Sequence, residues 1–144
     1  THQKDTAVLT LMNLESVLER DFEVVSPDMT LGEMVSVISV SHRNSFPVVD
    51  ERGVLVGIVE LDNVRNIMFR PELYDRYKVR KIMVTPEVKV SSATPMTEVM
   101  RLFDETKAWK MPVVDEEGRY LGFISKSAIF NSYREVLNCT FIGD

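Results

Sequence analysis

The chain has 144 residues, of which 44% are hydrophobic and 27% charged, and its formal net charge is −5. This length suits one compact domain or two small halves that share a core. The negative charge argues against a nucleic-acid or anionic-membrane surface, so no nucleic acid is expected among the partners. The single cysteine cannot form an internal disulfide, which favours a reducing compartment.

The sequence shows no signal peptide and no segment that could cross a membrane. Its apolar runs are far shorter than the roughly 18 residues that a membrane span requires. Because the chain begins with Thr1 rather than methionine, we expect it to be a piece of a longer protein.

The first half of the chain is predicted to contain a short helix, a short strand, an amphipathic helix, a strand–turn–strand hairpin and a final helix. The amphipathic helix carries apolar residues at the spacing i, i+3, i+4, i+7, and Thr30 with Glu33 forms a capping box at its start. The predicted ranges are 14–19, 23–25, 30–42, 46–60 and 62–69.

The second half repeats this order without a gap, 65 positions later. The hairpin from Phe46 to Val59 corresponds to the hairpin from Met111 to Ile124, and both turns end in glycine. Val49 and Val114 are expected to be equivalent buried residues. The predicted divisions are a lead-in over 1–11, a first motif over 12–69, a linker over 70–78, a second motif over 79–133 and a C-terminal extension over 134–144.

Two copies of a helix, the pattern PVVD-x-x-G-x-x-x-G-[IF]-[VI] and a second helix resemble a tandem pair of CBS domains, the Bateman module. The resemblance covers residues 14–133. It implies an α/β (α+β) fold in which two β-α-β-β-α motifs are related by a pseudo-two-fold axis and pack their sheets together. It also implies a non-catalytic regulatory unit, not an enzyme, whose clefts often bind AMP, ADP, ATP or S-adenosylmethionine.

A narrower resemblance concerns the segments 57–65 and 122–134, which are similar to the cytoplasmic CBS pair of prokaryotic CLC chloride channels and transporters. It implies regulation of ion transport by a cytoplasmic domain of an inner-membrane protein, with the membrane domain of the same polypeptide as a partner. It also implies a homodimer, for which Val37, Val40 and Leu102 are apolar residues off the main core face.

The resemblance also indicates where a nucleotide would bind. In adenosyl-binding CBS motifs the last strand ends in Ser/Thr-x-x-Asp, where the hydroxyl meets phosphate and the carboxylate binds the ribose. The first copy has Glu60 and Asn63 at these places, and the second has Ser125 and Ala128. Asn63 could bond a ribose, Glu60 would repel phosphate, and Ser125 keeps the hydroxyl. Asn63 and Ser125 could instead cap the following helices.

The adenine would lie against the backbone that follows the first strand of each motif and against the start of each hairpin, and Lys110 would add a cation near Ser125. Phe46 and Met111 could equally be core residues. No cofactor is required, and an adenine nucleotide (AMP, ADP or ATP) is the expected ligand. The predicted contacts are Ser26, Phe46, Pro47, Asn63, Ser91, Lys110, Met111, Pro112 and Ser125.

Other chemistries find no support in the residues. His2, His42 and Cys139 lack the spacing of metal ligands, so no metal site is predicted. No nucleophile elbow, phosphate-binding glycine loop or paired catalytic carboxylates occur. Two alternatives stay open: a ligand-free structural dimerisation module, and a regulatory CBS pair of another transporter or of a metabolic enzyme.

Overall fold

The structure, a computed structural model, describes residues 8–141, and side chains through residue 138. His2, the side chain of Cys139 and the ends of the lead-in and the C-terminal extension lie outside the described part. Residues 8–11 are helical. The helices that follow are α1 (Leu14–Val17), α2 (Leu31–Val40), α3 (Leu61–Val64), α4 (Val79–Ile82), α5 (Met96–Thr106) and α6 (Lys126–Phe141), with a 3-10 turn at Pro71–Leu73. The strands are β1 (Ser45–Val49), β2 (Leu55–Glu60), β3 (Val90–Ser91), β4 (Lys110–Val114) and β5 (Tyr120–Ser125).

The chain divides into two packing units, and it passes between them more than once. Within the described residues, unit 1 contains 8–20, 87–116 and 121–141, and unit 2 contains 21–86 and 117–120. Helix α1 therefore packs with the hairpin of the second repeat, and helix α4 packs with that of the first. Each unit takes its leading helix from the other sequence repeat.

Unit 2 is built on the antiparallel pair β1–β2, in which Ser45 faces Glu60. Val25 extends this pair as a parallel bridge to Val48, and Val84 extends it on the other side as an antiparallel bridge to Ile58. The predicted capping box at Thr30 and Glu33 is present at the start of α2, where it satisfies two orphan N–H groups. The buried core contains Val25, Met34, Phe46, Val48, Val59, Val64 and Val79.

Unit 1 has a three-stranded sheet in the order β3-β4-β5, with β3 parallel to β4. The chain before β3 contributes too, because Glu19 forms an antiparallel bridge with Phe123 of β5. Helices α1 and α6 are in contact on this sheet. The buried core contains Met12, Leu14, Val17, Val90, Met96, Val99, Phe103, Met111, Val113, Ile124 and Ile129.

The α/β (α+β) class is confirmed, while two expectations about particular residues are corrected. In strands β1 and β4 the fully buried valines are Val48 and Val113, and Val49 and Val114 are only half-buried. Val48 and Val49 are consecutive in β1, so their side chains point to opposite faces, and Val48 is the one that packs in the core. The final helix of the first motif ends at Val64 rather than at residue 69, and α6 continues through most of 134–144.

Candidate functional site

Both hairpins close on the following helix with the same backbone hydrogen bond. The N–H of Leu61 donates to the carbonyl of Asn44 (2.8 Å), and the N–H of Lys126 donates to the carbonyl of Trp109 (2.9 Å). The two repeats therefore place equivalent side chains at the same end of the hairpin. That end carries different chemistry in the two units.

In unit 2 this end of the hairpin is occupied by a serine–glutamate pair. Ser45 is completely buried, and its hydroxyl donates a short hydrogen bond to Oε1 of Glu60, which faces it across the strands. A carboxylate thus occupies the position at which the nucleotide-binding motif has a hydroxyl, and it would repel an approaching phosphate. Asn63 lies exposed in α3, one turn further on.

In unit 1 the equivalent positions are Lys110 and Ser125, and both side chains are half-buried. The hydroxyl oxygen of Ser125 accepts a hydrogen bond from the N–H of Ala128 (3.1 Å), so this serine caps α6. The hydroxyl hydrogen of Ser125 is still able to donate to an anion. This end of the hairpin therefore offers an ammonium and a hydroxyl without a carboxylate, the charge arrangement that suits a phosphate.

The two serines predicted to lie near the adenine occupy the opposite end of the hairpins. In each unit the serine forms the same turn: Ser26 accepts from the N–H of Asp28 (3.2 Å), and Ser91 accepts from the N–H of Ala93 (3.1 Å). Ser26 follows Val25, which bonds the end of β1, so it lies roughly 13 Å along the strand from Ser45 at ~3.3 Å per residue. Within unit 2 the structure does not bring Ser26 together with Asn63.

The apolar residues predicted as ligand contacts lie inside the two cores. Phe46 is fully buried in the core of unit 2, and Met111 is 2% exposed in the core of unit 1. Their packing accounts for their apolar character without any ligand. The residues that follow them, Pro47 and Pro112, are buried as well.

One cleft of unit 2 contains a residue that sequence analysis did not single out. The cleft has a volume of ≈ 420 Å³, and the guanidinium of Arg80 bonds a carboxylate oxygen of Asp28 within it (2.6 Å). The hydrogen bond from Arg80, followed by its charge, holds the pKa of Asp28 below its usual range. Arg80 belongs to the leading helix of the second repeat. The equivalent residue of the first repeat, 65 positions earlier, is Glu15, so the repeat did not predict an arginine in this cleft. The lining residues are Ser26, Pro27, Asp28, Val49, Asp50, Glu51, Val56 and Arg80.

Comparison with known protein families identifies the two hairpin motifs. The profile of the CBS domain matches residues 14–70 and again residues 79–135. The chain belongs to the CBS domain family. The two matches cover both motifs, so the protein carries a tandem CBS pair.

Relatives of this CBS pair include enzymes and free-standing CBS proteins. Inosine-5'-monophosphate dehydrogenase of Bifidobacterium longum (strain NCC 2705) is 34% identical over 113 residues, which are 77% of this chain and 20% of that protein. The chain thus spans about a fifth of the length of this relative. Among solved structures, CbpB in complex with c-di-AMP has a TM-score of 0.79 at 14% identity, covering 99% of this chain and 97% of that one. CBSX2 in complex with AMP has a TM-score of 0.69 at 21% identity, covering 86% and 97%.

No helix between residues 8 and 141 combines the length and apolarity needed to cross a bilayer. In the same part of the chain, His, Cys, Asp and Glu side chains do not gather in groups of three or more that could hold a metal ion.

Proposed function

We propose that this CBS pair is a non-catalytic regulatory module that binds an adenine nucleotide. The observation that carries the proposal is the change of chemistry at the hairpin end, from Ser45 and Glu60 in unit 2 to Lys110 and Ser125 in unit 1. The neighbours CBSX2 and CbpB, solved with AMP and c-di-AMP, support an adenine-containing anion as the ligand. Ser125 and Lys110 are the proposed phosphate contacts, and Asn63 is the proposed ribose contact in the first copy.

The proposed mechanism is a shift between two arrangements of the module. A nucleotide that binds one arrangement more tightly raises its population and so biases the attached or associated protein. Because neither copy keeps both the hydroxyl and the carboxylate of the nucleotide-binding motif, we expect dissociation constants of about 0.1–1 mM, or about 4–5 kcal/mol. At a ligand concentration c of about 1 mM this affinity supplies a bias of at most RT ln(1 + c/Kd), about 0.4–1.4 kcal/mol.

The two copies should differ in their preference for phosphate. Glu60 disfavours charged phosphates near Asn63, so adenosine or AMP should bind there better than ATP. Lys110 and Ser125 carry no such penalty, so the phosphate should be held by the second copy.

Substitutions at Ser125 test the assignment, since they separate its helix-capping role from phosphate binding. Ser125→Asp keeps an oxygen that can accept from the N–H of Ala128, but it places a negative charge beside the phosphate. We expect this variant to retain its melting temperature and to lose about ten-fold or more of its AMP affinity in calorimetric titration, about 1.4 kcal/mol. Ser125→Ala should lose about 1 kcal/mol of stability with the cap as well.

The control is Thr30→Ala, which removes a helix-capping hydroxyl of unit 2 that is not a predicted ligand contact, so it should lose stability but keep its AMP affinity. Equal AMP affinity in Ser125→Asp and the unsubstituted protein would place the phosphate elsewhere. If adenosine, AMP, ADP and ATP all fail to bind at millimolar concentration, the ligand-free dimerisation module becomes the better account.

A homodimer remains part of the proposal. Val40 ends helix α2 and is 78% exposed, which leaves an apolar side chain available to a second copy. Val40→Asp should change the stability of the folded monomer by no more than about 0.5 kcal/mol, because exposed positions tolerate substitution. In sedimentation equilibrium it should shift the protein from dimer to monomer, whereas the control Val24→Asp should not. A monomer in the unsubstituted protein at high micromolar concentration would rule out this part.

Two host proteins are candidates for this CBS pair. The chloride-channel resemblance supports a membrane domain in the same polypeptide and a place on the cytoplasmic side of the inner membrane. The 34% identity to an inosine-5'-monophosphate dehydrogenase favours a metabolic-enzyme host as the second candidate. The reading frame that surrounds this segment distinguishes them: about ten apolar spans of membrane length support the channel, and a soluble catalytic domain supports the enzyme.

A further inference from the structure

A second cavity lies in unit 1, beside the hairpin end that carries the proposed phosphate contacts. It encloses ≈ 530 Å³, within the usual range of small-molecule pockets. Its walls are apolar and aromatic, and neither Lys110 nor Ser125 lines it. The lining residues are Leu9, Met100, Trp109, Lys126, Ser127, Ile129, Phe130 and Tyr133.

The aromatic side chains of this cavity are unusually accessible for their size. Trp109 is 80% exposed and Phe130 is 64% exposed. Phe130 meets Tyr133 edge to face with the ring centroids 6.5 Å apart, which holds one wall in place. A ligand entering the cavity would cover much of this apolar surface, and this burial is the largest favourable term available there.

Among the described residues that line the cavity, Lys126 is the one cation, and it favours a ligand with a negative charge. The ammonium of Lys126 lies 5.9 Å from the centre of the Trp109 ring, in the range of a cation–π contact. In the described part of the chain no carboxylate forms a salt bridge with Lys126. An apolar ligand would remove water from this ammonium without replacement, whereas an anionic head group would compensate its charge.

We propose that this cavity binds an amphipathic monocarboxylate, a ligand with an apolar body and a single carboxylate of the kind found in medium-chain fatty acids. The apolar body lies against Trp109, Phe130 and Met100, and the carboxylate pairs with Lys126. A nucleotide fits less well, because the mainly apolar walls leave ribose hydroxyls and several phosphate charges without partners.

The protein has a single tryptophan, and it lines the cavity, so its fluorescence reports directly on occupancy. Decanoate, decanol and decylamine are titrated as probes with the same chain and different head-group charge. We expect saturable blue shifts, with decanoate binding about two- to five-fold more tightly than decanol, the gain typical of a partly exposed ion pair. Decylamine should bind most weakly.

Two lysine variants separate charge from packing. Lys126→Met keeps the apolar stem and should remove the preference for decanoate over decanol while leaving decanol affinity unchanged. Lys89→Met, at an exposed lysine of the same unit outside the cavity, should change neither. The proposal is overturned if decanoate causes no saturable change, if Lys126→Met retains the preference, or if sedimentation shows that a second copy covers Trp109 and excludes the probe.

Discussion

Val48→Asp should unfold the protein or leave it marginally stable. Val48 is completely buried in β1, where it packs in the core of unit 2 and forms a parallel bridge with Val25. An aspartate at this position would bring an unpaired charge into the core, which costs about 3–5 kcal/mol or more. Small domains have about 5–15 kcal/mol of stability in total, so most of it would be lost. Urea denaturation followed by far-UV circular dichroism measures the effect.

The neighbouring residue gives a matched control. Val49 follows the register shift in β1, is half-buried, and makes its bond to Val25 through backbone groups that a new side chain leaves intact. Val49→Asp should therefore cost only about 1 kcal/mol, a typical value for a substitution outside the core. If the two variants were equally destabilised, the burial described for β1 would be wrong.

Gly122→Ala should be markedly more destabilising than Gly57→Ala, although the two glycines are equivalent in the repeat. A Cβ atom at Gly122 would lie 2.5 Å from the backbone carbonyl oxygen of Glu19, whose bonds to Phe123 hold the leading segment on β5. Moving this backbone would break the bridge, and we expect a loss of about 2–3 kcal/mol. At Gly57 the nearest atoms are Sδ at 2.7 Å and Cγ at 2.9 Å of Met83, which can rotate aside, and Cβ at 3.2 Å, which must shift slightly, so we expect a cost of about 1 kcal/mol.

Amide hydrogen exchange shows whether the loss arises at the bridge. In Gly122→Ala the amides of Glu19 and Phe123 should exchange faster than in the unsubstituted protein, because both N–H groups donate across this bridge. In Gly57→Ala these amides should keep their protection. Faster exchange spread evenly over the chain in Gly122→Ala would argue against a local clash.

The features that sequence analysis predicted well depend on neighbours in the chain. The capping box of Thr30 and Glu33 needs only residues three apart, so its pattern is readable directly. The hairpins are similarly local, since a turn with glycine joins two apolar runs. The ungapped repeat then extended each local prediction to its second copy, while the α/β (α+β) class followed from the resemblance to the CBS pair.

The features that were missed depend on residues far apart or on continuous apolar runs. Arg80 bonds Asp28 although the two residues are 52 positions apart in the sequence, and no local pattern in either segment predicts this pair. The apolar run that ends in Val48 and Val49 has no alternation to reveal which valine faces the core, so only the packing of the folded chain shows that it is Val48. The cavity around Trp109 was not predicted either, because Leu9 and Tyr133 line it from distant parts of the chain.

The sequence predicted the residue types of the candidate site, and their role in binding stays a prediction. Ser125 was predicted either to meet phosphate or to cap the following helix, and the structure confirms the cap of α6. The burial of Ser45 against Glu60 required the pairing of two strands, which single-sequence patterns do not give. This pair makes the two copies chemically unequal and so underlies the proposed preference for phosphate in the second copy.

The most direct test of nucleotide binding is a titration of the isotope-labelled protein with AMP, followed by two-dimensional ¹H–¹⁵N NMR. The account predicts saturable shifts of the backbone amides of Lys110, Ser125 and Ala128, with a dissociation constant of about 0.1–1 mM. It also predicts that the dissociation constant obtained from these shifts rises about ten-fold in Ser125→Asp, a loss of about 1.4 kcal/mol of binding free energy. A spectrum that stays unchanged up to millimolar AMP, or shifts confined to residues far from this hairpin end, would contradict it.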